Sequence, residues 1–213
     1  MTTFLPRPLR RGALAFGLIL GSLALSACAL PAGRAPVQQT YRLTAPDIRT
    51  APLLQPTVIQ LRSVRASAGF ESASMMYSRS PDTLEPYRDS RWLAPPAQLV
   101  GQAIASALSR QPWVSAVQRQ SVLVNAPWAL HCDLDRLEHD VQQAQRGTVH
   151  LGLTCVLANT RIHRIAAHWH FDGSQPIAVN DAAHFAQGAQ ILLDQAIEGI
   201  VDHTRAAVAA SQP

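Results

Sequence analysis

Apolar and polar residues alternate most regularly in the middle of the chain. From Val149 to Leu157 every second residue is apolar, and the residues between them are mostly polar or small. A period of two predicts a β-strand that buries one face and exposes the other. The same pattern predicts three strands of an antiparallel meander, over 128–141, 148–158 and 162–172.

The first strand of this meander changes phase part-way along its length. Apolar positions from Leu130 to Leu134 follow one phase, whereas those from Leu137 to Val141 follow the opposite phase. A β-bulge between Leu134 and Leu137 reconciles the two phases, because it adds one residue to one strand only. In the third strand we expect four inward-facing positions, Ile165, Ala167, Trp169 and Phe171.

Two segments have the spacing of amphipathic helices. The first begins at Pro95 or Pro96, since proline suits the first position of a helix, and it ends near Arg110, just before Pro112. Its apolar residues recur at helical spacing, which predicts a helix that faces the core.

The second helix is predicted from Asp181 to about Ala209, with Asn180 or Asp181 as its N-cap. Gly188 and Gly199 lie in or beside its apolar stripe. Glycine weakens an isolated helix by about 1 kcal/mol, so we expect both glycines to mark close packing against another element.

Between residues 39 and 124 the patterns that predict strands are shorter. A loop is expected over 66–74, between short strands predicted over 39–44, 57–64, 75–77, 85–92 and 113–124. The pattern as a whole predicts an α+β fold, in which an antiparallel sheet carries two helices on one face. We expect a single domain over 39–213.

The N-terminus has the three parts of a secretory signal. Three arginines, Arg7, Arg10 and Arg11, precede an uncharged run from Gly12 to Leu25. The run is too short to favour a transmembrane helix. Leu25-Ser26-Ala27-Cys28 then resembles the lipobox of bacterial lipoproteins, which implies a signal peptide over 1–27 and lipidation of Cys28. The alternative is a buried cysteine in an N-terminal helix.

The segment over 28–38 is predicted to be a lipidated tether, because Ala29 to Val37 is rich in small residues and proline and has no period. These nine residues reach only about 30 Å when fully extended, so the domain must lie close to its membrane. By resemblance to lipoprotein sorting, Ala29 in place of aspartate implies the periplasmic leaflet of the outer membrane.

Removal of the signal changes the charge of the protein. The 18 basic residues are all arginine, and loss of Arg7, Arg10 and Arg11 leaves 15 against 14 acidic residues, a net charge of +1. A nearly neutral chain gives no argument for binding nucleic acid.

Three stretches of the mature chain resemble the ABC-type transport auxiliary lipoproteins, the family of the paraquat-inducible C-type lipoproteins. They are Tyr41-Arg42-Leu43, Tyr87 to Trp92, and Pro95-Pro96 at the start of a Leu/Ala helix. The resemblance implies a non-enzymatic accessory without a cofactor other than its lipid. It also implies two partners, an MCE-type periplasmic protein and an inner-membrane ABC transporter, in a system that moves phospholipids or other lipids between membranes. A homo-oligomeric ring around a conduit agrees with this role.

Cys132 and Cys155 depart from that family pattern. Both lie in the buried phases of neighbouring predicted strands, where a non-hydrogen-bonded pair brings Cβ atoms within disulfide distance. An oxidising compartment favours a bond. The alternative is two buried free thiols that act as small apolar side chains.

Polar residues of the predicted sheet offer two other chemistries. His150, His168 and His170 share the outward face, and the two imidazoles of the His-x-His pair could hold zinc, but the sequence places no carboxylate or third ligand beside them. A cluster of carboxylates could serve acid/base chemistry or bind calcium. For both sets a solvated sheet face is the favoured interpretation, and the carboxylates are Asp133, Asp135, Glu138 and Asp140.

Arg88, Arg91 and Trp92 lie beside the family pattern and are candidate partner-binding residues, since arginine and tryptophan are frequent anchors of interfaces. The alternative for Trp92, which we favour, is a core position under the first helix.

No nucleophile motif or phosphate-binding glycine motif is present in the sequence. The leading hypothesis is therefore an accessory lipoprotein that tethers an MCE-type lipid transport complex at the outer membrane. A second is a lipoprotein of another envelope machine, for lipopolysaccharide transport or outer-membrane protein assembly. A third is a secreted hydrolase or metalloprotein that uses the histidines.

Overall fold

The computed structural model describes residues 38–119, 125–143 and 146–212. Their two helices are α1 (Pro96–Ser109) and α2 (Ala182–Ala209). Their nine strands are β1 (Gln39–Tyr41), β2 (Thr57–Leu61), β3 (Arg65–Ala66), β4 (Ser74–Ser78), β5 (Glu85–Trp92), β6 (Val114–Gln118), β7 (Trp128–Gln143), β8 (Arg146–Asn159) and β9 (Arg164–Ile177).

All nine strands belong to one sheet, and the α+β class predicted from the sequence is confirmed. The three long strands β7, β8 and β9 form the predicted antiparallel meander. Most of the paired residues of the sheet lie in this meander, so the sheet is mostly antiparallel. Its core side carries both helices, as expected from their apolar stripes.

The short strands lie along the other edge of β7. β2, β3 and β4 pair with successive segments of β7, each in parallel. β6 extends this side beyond β2, and β5 extends it beyond β4, with β1 outermost beside β5. β7 can hold three short neighbours because it is 16 residues long.

The predicted bulge in β7 is confirmed. Leu134 pairs with Leu153, and the next pair joins Arg136 to Gly152, so Asp135 is the additional residue. The residues before and after it consequently turn their apolar side chains to the same face, as the change of phase required.

A second irregularity, at the start of β9, makes one prediction wrong. Ala158 pairs with Ile165 and Leu157 pairs with Ala167, so Ala166 is an extra residue. This turns Ile165 away from the core, and its side chain is exposed. Further along β9 the predicted inward positions pack against the core, and these are Ala167, Trp169 and Phe171.

Both helices begin as the sequence predicts. Pro95 precedes α1 as its N-cap residue, with proline inside the first turn. Asp181 caps α2, because its carboxylate accepts a hydrogen bond of 2.8 Å from the backbone N–H of His184.

Of the two glycines of α2, only one marks a close approach. A Cβ atom at Gly188 would lie 2.7 Å from Cγ2 of Val149 in β8, so no larger residue fits there without a shift. At Gly199 a Cβ atom would meet nothing within 4 Å. The expectation of close packing is therefore confirmed for Gly188 and wrong for Gly199.

Several short elements differ from their predicted bounds. β1 and β2 end earlier, at Tyr41 and Leu61, and β4 is one residue longer at each end. The predicted loop over 66–74 begins with part of β3, whose two residues pair with Asp133 and Leu134 of β7. The predicted strand over 113–124 is shorter, because β6 ends at Gln118. Residues 120–124 of that prediction lie outside the described residues.

Candidate functional site

Cys28, the predicted lipidation site, lies outside the described residues, as do the rest of the predicted signal and nearly all of the tether. The domain that follows forms one compact unit, Gln38–Pro213. None of its described helices is long and apolar enough to cross a membrane.

Trp92, a candidate partner-binding residue, is instead a core residue. It is 1% exposed, and its ring packs edge-on against the ring of Phe185 in α2, with 5.4 Å between the ring centroids. The register of β4 and β5 shifts between Tyr87 and Trp92, so both side chains face the core despite their odd spacing. The prediction of a contact surface is therefore wrong for Trp92, and the alternative of a core position holds.

Arg88 and Arg91, the other two candidates, are on the surface. Nη2 of Arg88 lies 2.8 Å from Oδ2 of Asp89, and this hydrogen bond lowers the pKa of the Asp89 carboxyl. Nε of Arg91 donates a weak hydrogen bond of 3.4 Å to its neighbour's backbone carbonyl. Both guanidinium groups are thus accessible to a partner.

Cys132 and Cys155 are directly opposite each other in β7 and β8. Their Cα atoms are 4.1 Å apart, a separation typical of the non-hydrogen-bonded pairs of an antiparallel ladder, and their sulfur atoms are bonded. Both residues are fully buried, so the disulfide joins β7 to β8 inside the core.

The three candidate zinc ligands occupy the outward face, where His168 is exposed and the other two contact separate hydroxyl groups. Nδ1 of His150 lies 2.9 Å from the hydroxyl of Ser174, and Nδ1 of His170 lies 2.9 Å from the hydroxyl of Thr154. Burial lowers the pKa of His150, and the nearby Arg136 adds to that effect. In the described parts of the chain, no three His, Cys, Asp or Glu side chains are arranged to hold a metal ion.

The candidate carboxylates lie on the same outward face, and each has its own partner. Asp133 accepts a bidentate pair of hydrogen bonds from the guanidinium of Arg65, and these bonds lower the pKa of the carboxyl. Glu138 lies 2.5 Å from the guanidinium of Arg136. The other two accept hydrogen bonds from uncharged donors, Asp135 from Thr154 at 2.6 Å and Asp140 from the backbone N–H of Gln142 at 2.9 Å. This distribution fits a solvated, ion-paired sheet face better than an acid/base pair.

His139 lies at the centre of a buried polar cluster that the sequence patterns did not predict. His139 of β7 is 0% exposed, and its Nδ1 lies 2.7 Å from the hydroxyl of Tyr87. Its Nε2 lies 3.3 Å from Oδ1 of Asn180, and its ring stacks on Phe185. The signal for this cluster was the position of His139 in the buried phase of β7.

Gly147 of β8 leaves the space that this cluster occupies. A Cβ atom there would overlap both Nε2 of His139 and Oδ1 of Asn180. Burial lowers the pKa of His139 and raises that of Tyr87, so both groups are neutral at pH 7. Neutral, paired and enclosed groups indicate a structural role.

Comparison with solved structures shows the same fold in other proteins. Protein XCC0632 from Xanthomonas campestris superposes with a TM-score of 0.69 at 19% identity, over 79% of this chain and 96% of that one. An uncharacterized protein superposes with a TM-score of 0.61 at 12% identity, over 79% of this chain and 99% of that one. At these identities the likeness shows the fold alone.

No curated protein matches the chain in sequence. The family described as "ABC-type transport auxiliary lipoprotein component" matches residues 41–201, which is well over half of the chain and includes both helices up to Val201. The match agrees with the resemblance found at Tyr41, at Tyr87 to Trp92 and at Pro95-Pro96. The chain therefore belongs to the family of ABC-type transport auxiliary lipoproteins.

Proposed function

We propose that this protein is the outer-membrane-anchored, non-catalytic accessory subunit of an MCE-type ABC system that transports lipids across the periplasm. The observation that carries the proposal is the family match over residues 41–201, which assigns an auxiliary role beside an ABC transporter. The MCE-type partner and the outer membrane are the finer parts of the proposal. They rest on the sequence patterns and on the resemblance.

The lipidated cysteine determines where the domain acts. Cys28 follows Leu25-Ser26-Ala27 and carries the lipid, and Ala29 directs the protein to the outer membrane. The tether over 28–38 holds the domain within about 30 Å of the periplasmic leaflet. A transport complex that crosses the periplasm from the inner membrane would meet the domain there.

The chemistry of the described residues supports a binding role. Their polar clusters consist of ion pairs and hydrogen-bonded pairs, such as Arg65 with Asp133 and Tyr87 with His139. The apolar faces of both helices are buried in the hydrophobic core against the sheet. The proposed protein acts through position and contact, and it needs no cofactor besides its lipid.

Affinity purification from detergent-solubilised envelope tests the partner. A C-terminal tag on the chain should recover an MCE-type protein and the ABC transporter subunits. Recovery of lipopolysaccharide-transport or outer-membrane-assembly proteins instead, with no MCE-type protein, would contradict the proposal.

Two variants test the anchor. In Ala29→Asp the lipoprotein should be retained in the inner membrane, which fractionation of the two membranes detects. A form with a cleavable signal lacking Cys28 should be folded and soluble in the periplasm, yet should fail to restore function to a deletion strain. Full restoration by this soluble form would disprove the tethering role.

A further inference from the structure

The turn between β8 and β9, together with the start of β9, exposes two large apolar side chains. Ile162 is 61% exposed and Ile165 is 69% exposed. Arg161 and Arg164 flank Ile162, and neither has an ion-pair partner in the part of the chain that the structure describes. We name residues 161–165 the basic-apolar tip.

The basic-apolar tip is held in one conformation by its own hairpin. Oδ1 of Asn159 accepts hydrogen bonds from the backbone N–H groups of Arg161 at 3.0 Å and Ile162 at 3.4 Å. Thr160 fixes the turn to the preceding segment, since its hydroxyl donates to the carbonyl of Ala126 at 2.6 Å. Such a preformed surface loses little conformational entropy on binding, which is the usual advantage of rigid contact sites.

The charge of this region defines the chemistry of its partner. No acidic residue occurs between Val141 and Phe171, so the strands on both sides of the basic-apolar tip add no negative charge next to its two arginines. A complementary surface would present carboxylates around an apolar cleft. Arginine is enriched in protein interfaces, and an exposed apolar side chain beside it loses its contact with water when it enters such a cleft.

The sheet topology directs the tip away from the start of the domain. β1 is parallel to β5, β5 is antiparallel to β4, and β4 is parallel to β7, so β1 runs antiparallel to β7. The chain therefore enters β1 from the end of the sheet where β7 finishes. The basic-apolar tip lies at the other end, beside the first residue of β7, because Trp128 pairs with Asn159.

The length of the tether argues against contact with the anchoring membrane through the tip. By these registers Gln39 lies level with Leu151 of β8, eight residues from Asn159, a distance of about 27 Å along the strand. End-on insertion of the tip would hold the start of β1 at least that far above the membrane, which would need almost the full 30 Å reach of the tether. A partner in the periplasm requires no such extension.

Resting on the function proposed above, we infer that the basic-apolar tip docks into an acidic, apolar cleft on the MCE-type periplasmic subunit. The two isoleucines fill the cleft, and Arg161 and Arg164 pair with its carboxylates. Arg88 and Arg91, on β5 at the opposite side of the sheet, are then outside this contact.

The test compares three variants of the full-length lipoprotein in the same affinity purification. Ile162→Ser with Ile165→Ser removes the apolar anchors, and Arg161→Glu with Arg164→Glu reverses the charge. Val179→Ser is the matched control, because Val179 is a 47% exposed apolar residue near the other end of β9. Both tip variants should lower recovery of the MCE-type subunit about tenfold or more, a loss of about 1.4 kcal/mol or more, and the control should leave it unchanged.

Other results have distinct meanings. Undiminished recovery by both tip variants overturns the inference but leaves the proposed function standing, whereas no recovery by the unaltered protein overturns both. Binding of phosphatidylglycerol vesicles that only the tip variants lose, with partner recovery intact, would assign the tip to a membrane. A smaller sedimentation coefficient of the tip variants alone, again with partner recovery intact, would assign it to a second copy. A melting temperature equal to that of the unaltered protein ensures that each variant is folded.

Discussion

The hydroxyl of Tyr87 and Nδ1 of His139 are 2.7 Å apart in the interior of the protein, between β5 and β7. Nε2 of the same ring faces Oδ1 of Asn180, which can only accept, so the proton of the neutral imidazole is on Nε2. Nδ1 then accepts the hydrogen bond that the Tyr87 hydroxyl donates. The pair connects the strand of the family pattern with the residues that start α2.

This pair predicts that the protein loses stability as the pH falls. Burial lowers the pKa of His139 below its ordinary value of 6.5, although Asn180, Asp140 and Asp181 oppose the effect. Below about pH 6.5 the unfolded chain therefore binds a proton that the folded protein does not. Above that pH, His139 is neutral in both states, and the buried imidazole contributes its full share to the free energy of unfolding. As the pH falls further it is lost, at no more than about 1.4 kcal/mol per pH unit, until the folded state is protonated too.

Urea unfolding of the soluble domain between pH 8 and pH 5 measures this dependence. His139→Asn, which keeps an acceptor near Tyr87, should give a shallower decline over that range. His168→Gln is the control for the loss of a histidine outside the interior, because His168 is exposed on β9. An equal slope in all three proteins would show that His139 does not contribute.

The long strands could be predicted because their burial pattern is local. The phase change between Leu134 and Leu137 was sufficient to locate a bulge, since a slip of one residue inverts every side chain after it. The same reasoning failed for Ile165, because its apolar side chain continued the alternation through an extra residue at Ala166. A bulge is visible in the sequence only where it moves polar residues into the buried phase.

The arrangement of the short strands could not be predicted, because their partners are distant in the chain. β3 has two residues and no period of its own, and it exists through pairing with Asp133 and Leu134. A core position for Trp92 was the favoured alternative, but the register shift beside β4 that turns its side chain inward could not be predicted. The basic-apolar tip could not be predicted either, because it is defined by the exposure of its isoleucines, and the periodicity of a sequence does not show which apolar residues are exposed.

The two glycines of α2 predict opposite effects of the same substitution. Gly188→Ala should lower the free energy of unfolding by about 1–3 kcal/mol, because the new methyl group would press on Val149. Gly199→Ala should raise it by about 0.5–1 kcal/mol, because alanine favours the helix and the space is open. Chemical denaturation of both variants measures the two signs. A gain in Gly188→Ala would mean that the helix can move away from β8.

The disulfide predicts a stability that depends on the redox state. Cys132 and Cys155 are 23 residues apart in sequence, and a loop of this length contributes about 3 kcal/mol by restricting the unfolded chain. Cys132→Ala with Cys155→Ala should lower the free energy of unfolding by about that amount. Reductant should destabilise the unaltered domain and leave the double variant unaffected. Alkylation of both thiols in unreduced, unfolded protein from the periplasm would show that no bond forms in the cell.

Substitutions in β5 should separate effects on stability from effects on partner binding. Trp92→Ala should cost about 3–5 kcal/mol of unfolding free energy, because it removes a ring enclosed by the core and packed on Phe185. Arg88→Ala and Arg91→Ala should change stability by no more than about 0.5 kcal/mol, since both side chains are on the surface. Thermal unfolding measures these effects, and affinity purification then shows whether either arginine contributes to a second contact. A large loss of stability in Arg91→Ala would place that guanidinium in the fold, and would remove it from the candidates for partner binding.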